Sequence, residues 1–300
     1  MKSFSVRGGP KFMLDEASVL DIGRCFVNGT DISPGRAIPD DGDPRIDHSL
    51  EGFLFTCGPD HIRHPAPISG RSDGRKYPLH GSFSAHPAEI VFWDGAPENG
   101  QEDGEETDGE CRARIRVTMA TGEPALLDRH YRIDHQSGEV SLTDRVTNVG
   151  TKPFAAVHMY HMNIGAWLFD DHVSLSGAMF EGGRLPWNFG AEPGSVFCVP
   201  AHDGAENSAD GGRDNVAGGW AEMRLGPIAA IGGLTLRVKF RTDTLPYLQM
   251  WRNQKNPAHV LGIEPVSHRL ADREELEKSG EIRMLKPGES IDYALCFAFV

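Results

Sequence analysis

Apolar and polar side chains alternate with a period of two along several parts of the chain. In LTLRVKFR, residues 234–241, four apolar positions alternate with Thr, Arg, Lys and Arg. Segments 139–150, 111–120 and 291–300 also have the pattern of strands. This alternation is typical of β-strands that bury one face. The chain is therefore predicted to be rich in strands.

Turn, helix and loop signals separate these strands. HQSG at 135–138 predicts a hairpin turn. Segment 270–280, LADREELEKSG, predicts a helix with Asp272 and Glu275 as a capping box and Gly280 at its end. Stretches rich in Gly, Pro, Asp, Asn or Glu predict loops at 32–47, 94–110 and 203–219.

Many strands and very little helix favour an all-β fold. We predict a large antiparallel β-sandwich with one or two short helices. No internal repeat and no Pro- or Ser-rich linker interrupts the sequence. All-β folds of this length often form one unit, so residues 1–300 are expected to be a single domain.

Composition and charge narrow the range of partners. The 43 acidic and 30 basic residues give a net charge of −13, which disfavours nucleic acid and anionic membranes. No apolar run has the length of a signal peptide or a membrane span. Five scattered cysteines without a CxxC pair are typical of reduced thiols. A cytoplasmic protein is predicted.

Two histidines stand three residues apart in FAAVHMYHMNIGAW, residues 154–167. If this segment is a strand, His161 and Asn163 face one way, whereas His158 and Tyr160 face the other. The two histidines therefore cannot bind one metal ion as a helical HxxxH pair does. His158 is interpreted as a core residue and His161 as a candidate site residue.

Two further positions suggest chemistry. His80 precedes Gly81, where the backbone is able to approach a ligand closely. Glu264 lies in an apolar strand between Gly262 and Pro265. A buried carboxylate is costly unless it is paired, and desolvation raises its pKa towards the range of a useful base.

Six short motifs spread over nearly the whole chain carry a family resemblance. They are LDIG (20–23), FTCGPDHI (55–62), YPLHG (77–81), YHMNIG (160–165), GIEP (262–265) and LKPGES (285–290). Their order resembles the DUF4432 branch of the aldose 1-epimerase (galactose mutarotase-like) superfamily, as does DRVTNVGTKPFAAVHMYHMNIG, residues 144–165. The resemblance implies a galactose mutarotase-like supersandwich.

The same resemblance implies roles for individual residues. His161 matches the general acid, Glu264 matches the general base, and His80 matches a substrate-binding histidine. Weaker candidates for sugar contacts are Asn163, Asp60, Trp251 and Arg252.

One position departs from the family pattern. The resemblance implies an arginine directly after HG, but residue 82 is serine. The substrate-binding cation expected there must come from elsewhere, or the sugar differs. The candidates to replace it are His86, Arg71 and Arg75.

The implied chemistry is the interconversion of sugar anomers. A base removes the proton of the C1 hydroxyl while an acid protonates the ring oxygen, so that the ring opens and then recloses. Each positioned acid or base contributes about 10²–10⁴-fold, and no cofactor is needed. The predicted function is a carbohydrate epimerase acting on a small sugar, with a homodimer as a candidate assembly.

Two alternatives remain at this point. His80, His161 and Glu264, with His86 or His259, could ligate a divalent metal in a metal-dependent sugar isomerase. A non-catalytic sugar-binding or regulatory protein could also keep the same sandwich. The presence of both Glu264 and His161 in matching motifs favours the enzyme.

Overall fold

The computed structural model describes residues 1–6, 9–37, 50–68, 70–84, 86–95, 107–201 and 219–300. The loops predicted at 32–47, 94–110 and 203–219 lie largely outside the described residues.

Strands dominate the described part of the chain. In chain order they are β1 (Lys2–Ser5), β2 (Lys11–Asp15), β3 (Asp21–Val27), β4 (Thr30–Asp31), β5 (Leu54–Cys57), β6 (Ala66–Pro67), β7 (Lys76–Tyr77), β8 (Glu89–Asp94), β9 (Gly109–Thr118), β10 (Pro124–Ile133), β11 (Val140–Asn148), β12 (Phe154–Ala155), β13 (Met159–Gly165), β14 (Ser174–Ser176), β15 (Arg184–Pro186), β16 (Gly194–Pro200), β17 (Trp220–Ile228), β18 (Leu234–Arg241), β19 (Tyr247–Asn253), β20 (Val260–Val266), β21 (Met284–Leu285) and β22 (Ser290–Phe299).

These strands form two large antiparallel sheets. The first sheet has the order β1-β2-β3-β5-β13-β20-β19-β16, with β4 paired to β3. The second has the order β15-β14-β17-β18-β22-β11-β10-β9-β8. Two short ribbons, β12-β21 and β6-β7, complete the set. The predicted all-β antiparallel architecture is confirmed.

The alternating segments form strands where they were predicted. LTLRVKFR is strand β18 with the same bounds, and segments 111–120 and 291–300 correspond to β9 and β22 within two residues. The HQSG turn joins β10 to β11, and within it the Gly138 amide donates to the Asp134 carbonyl over 2.9 Å.

One α-helix is described, α1 (Arg273–Ser279), together with 3-10 turns at Ala166–Leu168, Glu181–Gly183 and Ala229–Ile231. Gly280 ends α1 in the left-handed conformation, with a φ of 70°. The predicted capping box is wrong, because no side chain caps the helix start. Glu275 accepts a hydrogen bond from Arg269 instead. None of the helices in the described part of the chain has the length and apolarity needed to cross a bilayer.

The first sheet is buried on both faces at its central strands, β5, β13 and β20. Its inner face, with Leu54, Tyr160 and Met162, contributes to a large apolar core shared with the second sheet. Its outer face carries a smaller cluster that includes Phe55 and Met159. Side chains alternate between the faces of a strand, so these three central strands are continuous runs of buried residues. The outer face holds the candidate site.

Candidate active site

One row of side chains crosses the outer face of the first sheet. His161 of β13 is opposite Phe55 of β5, and Gln249 of β19 is opposite both Glu264 of β20 and Cys198 of β16. The register that pairs Met159 with Val266 and Met162 with Ile263 sets His161 beside Glu264. Residues distant in sequence therefore meet because their strands are neighbours.

His161 and Glu264 form a buried pair at the centre of this row. The His161 Nε2 and Glu264 Oε1 atoms are 3.2 Å apart, and the residues are 3% and 0% exposed. Desolvation raises the pKa of Glu264 to about 8, although hydrogen bonding from Gln249 and the charge of Arg63 oppose the shift. Desolvation also lowers the pKa of His161 to about 4, while Asn163 opposes that change.

These pKa shifts determine how many protons His161 and Glu264 hold together at a given pH. Between about pH 4 and pH 8 the two groups together hold one proton. Burial favours its location on Glu264, with a neutral imidazole at His161, because a charge is costly in a desolvated site. The titration belongs to the coupled pair, since the groups are in contact. This resting distribution is opposite to the protonated histidine and ionised glutamate implied by the family resemblance.

A hydrogen-bonded chain connects Glu264 to a cation. The Gln249 side-chain amide donates to Glu264 Oε2, and Arg63 Nη2 donates to Gln249 Oε1 over 3.0 Å. Neither Gln249 nor Arg63 is predicted from the sequence as a site residue. Arg63 directly follows the FTCGPDHI motif, which was the only available signal, whereas Gln249 occupies a position of β19 with no distinctive pattern.

His80 lies beside the pair on a turn. Its ring centroid is 5.5 Å from that of His161, nearly perpendicular to it. Its φ of 58° is left-handed, and its amide donates to the Arg63 carbonyl over 2.8 Å. Burial and nearby His161 lower the pKa of His80 well below its usual value, so His80 is a neutral donor or acceptor.

Glycine is required directly after His80. Gly81 has a φ of 83°, and a Cβ there would lie 2.3 Å from the His61 carbonyl oxygen. The HG motif is therefore a backbone requirement of this turn. The turn holds the imidazole of His80 against the sheet.

Trp251 forms an aromatic wall next to His161. The two rings are in an edge-on arrangement with centroids 5.5 Å apart. A Cβ on Gly262, the partner of Trp251 in the ladder, would lie 2.6 Å from Glu264 Oε1 and 3.3 Å from the indole. The absence of a side chain at Gly262 therefore leaves room for the Glu264 carboxyl group.

These groups open into a pocket of about 300 Å³. This volume is at the lower end of the range for small-molecule sites. The lining residues are Leu50, Arg63, His64, Leu79, His80, His161, Val196, Gln249, Trp251, Glu264 and Leu270. The arrangement brings together an acid, a base, one cation and an aromatic wall.

Two residues predicted to contact the sugar, Asn163 and Asp60, lie outside the pocket lining and form hydrogen bonds with backbone groups instead. Asn163 is fully buried and donates to the carbonyls of Leu50 and Gly52. Asp60 accepts from the amide and hydroxyl of Ser82 and from the Ala120 amide. The serine in place of the expected arginine is thus part of a buried turn.

The remaining candidates also lie away from the pocket lining. Arg252 donates to the carbonyls of Phe189, Gly190 and Glu192. His86 accepts from the Thr118 amide.

Neither arginine proposed to replace the missing cation lies in the pocket lining. Arg71 and Arg75 both pair with Asp73 on the surface. Arg63 is the arginine that lines the pocket.

The metal-site hypothesis requires a fourth ligand from His86 or His259. His259 is next to Gln254 and Trp167, and neither histidine lines the pocket described above. Within the described ranges, no group of three or more His, Cys, Asp or Glu side chains is arranged to hold a metal ion.

Comparison with solved structures defines the class of the fold. An inferred aldose 1-epimerase from Klebsiella pneumoniae subsp. pneumoniae is 18% identical over 98% of this chain and 77% of its own, with a TM-score of 0.69. A galactose mutarotase-like protein from Clostridium acetobutylicum is 11% identical over 99% and 94% of the two chains, with a TM-score of 0.63. A galactose mutarotase-like protein from Lactobacillus casei is 12% identical over 100% of both chains, with a TM-score of 0.60. The chain has a galactose mutarotase-like fold.

The family match is more specific. Residues 20–299 match the family described as "Domain of unknown function (DUF4432)", and the chain therefore belongs to this family. No curated protein matches the sequence.

Proposed function

We propose that this protein is a carbohydrate epimerase that interconverts sugar anomers without a cofactor. The observation that carries the proposal is the contact between Glu264 and His161 at 3.2 Å on the floor of a sugar-sized pocket. The mutarotase-like fold supports it as well, although a fold alone does not determine an activity.

Ring opening uses the single proton held by the pair. One group donates a proton to the ring oxygen while the other accepts the proton of the C1 hydroxyl, and rotation about C1–C2 precedes ring closure. Opening leaves one proton on the pair, because one proton goes to the ring oxygen and another comes from the C1 hydroxyl. Ring closure reverses both transfers, so the pair again holds one proton. The neutral resting form favours Glu264 as the donor and His161 as the acceptor. In ring closure the roles reverse, with His161 as the donor and Glu264 as the acceptor.

The surrounding residues have supporting roles in this proposal. Gln249 fixes the orientation of the Glu264 carboxyl group by donating to Oε2. The indole of Trp251 offers an apolar surface to the C–H face of a sugar. His80 is within reach of a sugar hydroxyl.

The test is anomer exchange followed by NMR or polarimetry with anomerically pure sugars, with and without a chelator. Glu264→Gln removes the titrating group and nearly keeps its shape, so we expect turnover to fall by at least about 10²-fold while sugar binding is retained. Glu274→Gln is the control, because that carboxylate is on the surface of α1 with its side chain 80% exposed.

The outcome separates the enzyme from its alternatives. Unchanged turnover in Glu264→Gln would remove this carboxyl group from the mechanism. Sugar binding without exchange in the wild-type protein would identify a binding protein, and loss of exchange on chelation would identify a metal enzyme.

A further inference from the structure

The pocket contains a guanidinium group, that of Arg63, which the proposed anomer exchange does not require. Arg63 is the cation in the lining, and the described residues that accept hydrogen bonds from its side chain are the neutral Gln249 and Ala271. Burial lowers the pKa of Arg63, and Cys198, Glu264 and Asp272 oppose that shift only through space. Glu264 is itself largely protonated near neutral pH. Among the described residues, the guanidinium of Arg63 therefore has no carboxylate as a direct hydrogen-bond partner in the pocket.

The hydrogen bonds of Arg63 also leave donors available. A guanidinium has five N–H donors. Arg63 Nη2 donates to the Gln249 side chain over 3.0 Å, and Nη1 donates to the Ala271 carbonyl over 3.4 Å. Both acceptors are neutral, and Arg63 Nε is buried without a hydrogen-bond partner among the described residues. A guanidinium at the wall of a pocket with neutral partners and spare donors is suited to an anion from solution.

The backbone holds Arg63 in this position. Its φ of 82° is in the left-handed region, which is unfavourable for a residue with a side chain. Its amide and carbonyl both meet His80, because the His80 amide donates to the Arg63 carbonyl over 2.8 Å and the Arg63 amide approaches His80 Nδ1 at 3.4 Å. Strained backbone of this kind is frequent in ligand sites. Arg63 and His80 are thus positioned as one unit beside the acid–base pair.

From this geometry we propose that the substrate is an aldose with a carboxylate on C5, a hexuronic acid, and that Arg63 binds the carboxylate. The inference rests on the proposed function. In a pyranose, C5 carries both the ring oxygen and C6, so the C6 carboxylate is the substituent next to the ring oxygen. Arg63 is separated from Glu264 by Gln249 alone. A single guanidinium with neutral hydrogen-bond partners matches the single charge of a carboxylate better than a phosphate dianion.

The experiment compares matched sugars that differ only at C6. Anomer exchange is measured by NMR, and each rate is corrected for uncatalysed exchange. Glucuronate is compared with glucose and glucose 6-phosphate, and galacturonate is compared with galactose and galactose 6-phosphate. We expect kcat/KM for the uronates to exceed that for the neutral sugars by at least about 10-fold, as for a hydrogen bond to a charged group.

Variants of Arg63 test the assignment through the ratio of uronate to neutral-sugar kcat/KM. Arg63→Gln should reduce this ratio to about one, mainly by raising KM for the uronate, and Arg63→Lys should restore part of it. Arg71→Gln is the control, because it removes the same charge from the surface pair with Asp73, and it should leave the ratio unchanged. A purely structural role of Arg63 would change both sugars equally and leave the ratio intact.

Several results would overturn the inference and keep the proposed function. These are exchange with no preference for uronates, a preference for the 6-phosphates, or a ratio unaffected by Arg63→Gln. A calorimetric titration with glucuronate separates the two proposals further, because the Glu264→Gln variant reports binding in the absence of turnover. If glucuronate binds and Arg63→Gln abolishes that binding, but the wild-type protein exchanges no sugar, the hexuronic acid is supported as the ligand and the proposed catalysis is rejected.

Discussion

His158 and His161 show how the direction of one side chain separates structure from chemistry. His161 faces the pocket, whereas His158, just before β13, faces the interior between the sheets. The His158 ring stacks on Tyr293 with centroids 4.1 Å apart, and it is 0% exposed. Desolvation lowers its pKa to about 3, although nearby Asp144 opposes the shift. The alternation predicted for this strand is therefore present in the structure.

Substitution of these two histidines should have opposite effects. His158→Gln loses the stacking contact and leaves a poorly partnered amide in the core, so we expect destabilisation by about 1–3 kcal/mol with activity per folded molecule retained. His161→Gln should lower anomer exchange strongly and stability little. Thermal unfolding and exchange rates measured on both variants test this, and the reverse pattern would reject the assignment of His161.

The pH profile of kcat/KM is a second test at this scale. Below about pH 4 His161 gains a proton and the pair holds two, while above about pH 8 Glu264 loses its proton and the pair holds none. Either change removes the combination of one acid and one base, so activity should fall on both sides. Circular dichroism at each pH controls for unfolding. A profile that keeps rising above pH 9 would contradict this assignment.

At the scale of the strand, β20 shows how a fully buried segment accommodates a carboxyl group. All seven of its residues are buried, and Gly262 and Glu264 face the same side. The position of Glu264 depends on the missing side chain at Gly262, since a Cβ there would collide with the carboxylate oxygen. The GIEP motif therefore combines a functional group with the space that it needs.

Gly262→Ala should displace the Glu264 carboxyl group by a fraction of an ångström. Because misplacement of a catalytic group by about 1 Å costs about 10²-fold, we expect kcat/KM to fall by about 10–100-fold. Gly194→Ala on β16 is the control, since the added methyl group meets the flexible end of Lys255. Equal activity in the two variants would show that the carboxyl group tolerates the displacement.

At the scale of the whole molecule, one buried arginine connects the two sheets. Arg129 of β10 bonds Asp144 in its own sheet, and it also bonds Asp21 and Thr56 in the first sheet. Arg129 is 1% exposed and Asp144 is also 1% exposed. Thr56 and Phe55 are adjacent on β5, so this network lies directly behind the site. That residues 1–300 form one domain stays a prediction.

Arg129→Met should leave two buried carboxylates without their cation. Removal of one partner from a buried ion pair costs about 3–5 kcal/mol, measurable as a lower urea midpoint. Arg114→Met, which removes an exposed partner of Asp128, is the control and should change the midpoint little. A similar loss in both variants would show that the buried network contributes no more than a surface pair.

Much of the site could be predicted from the sequence, but its completion could not. Four of the residues predicted for one site do line the same pocket, namely His161, Glu264, His80 and Trp251. Asp60 and Arg252 form hydrogen bonds to the backbone elsewhere. The motifs indicate residue types and order, but they do not distinguish a ligand contact from a buried hydrogen bond to a loop. Arg63 was missed because its position depends on the contact of two turns, which no local pattern records.

The sequence by itself determined the strands, the side of each strand on which a residue lies, and the presence of a carboxyl group in an apolar segment. These are local properties, because alternation and burial are encoded within a few consecutive residues. The tertiary structure alone decided which strands are neighbours and in what register. Register depends on the packing of the whole sheet, and it brings the Glu264 carboxyl group to the His161 imidazole and, through Gln249, to the charge of Arg63.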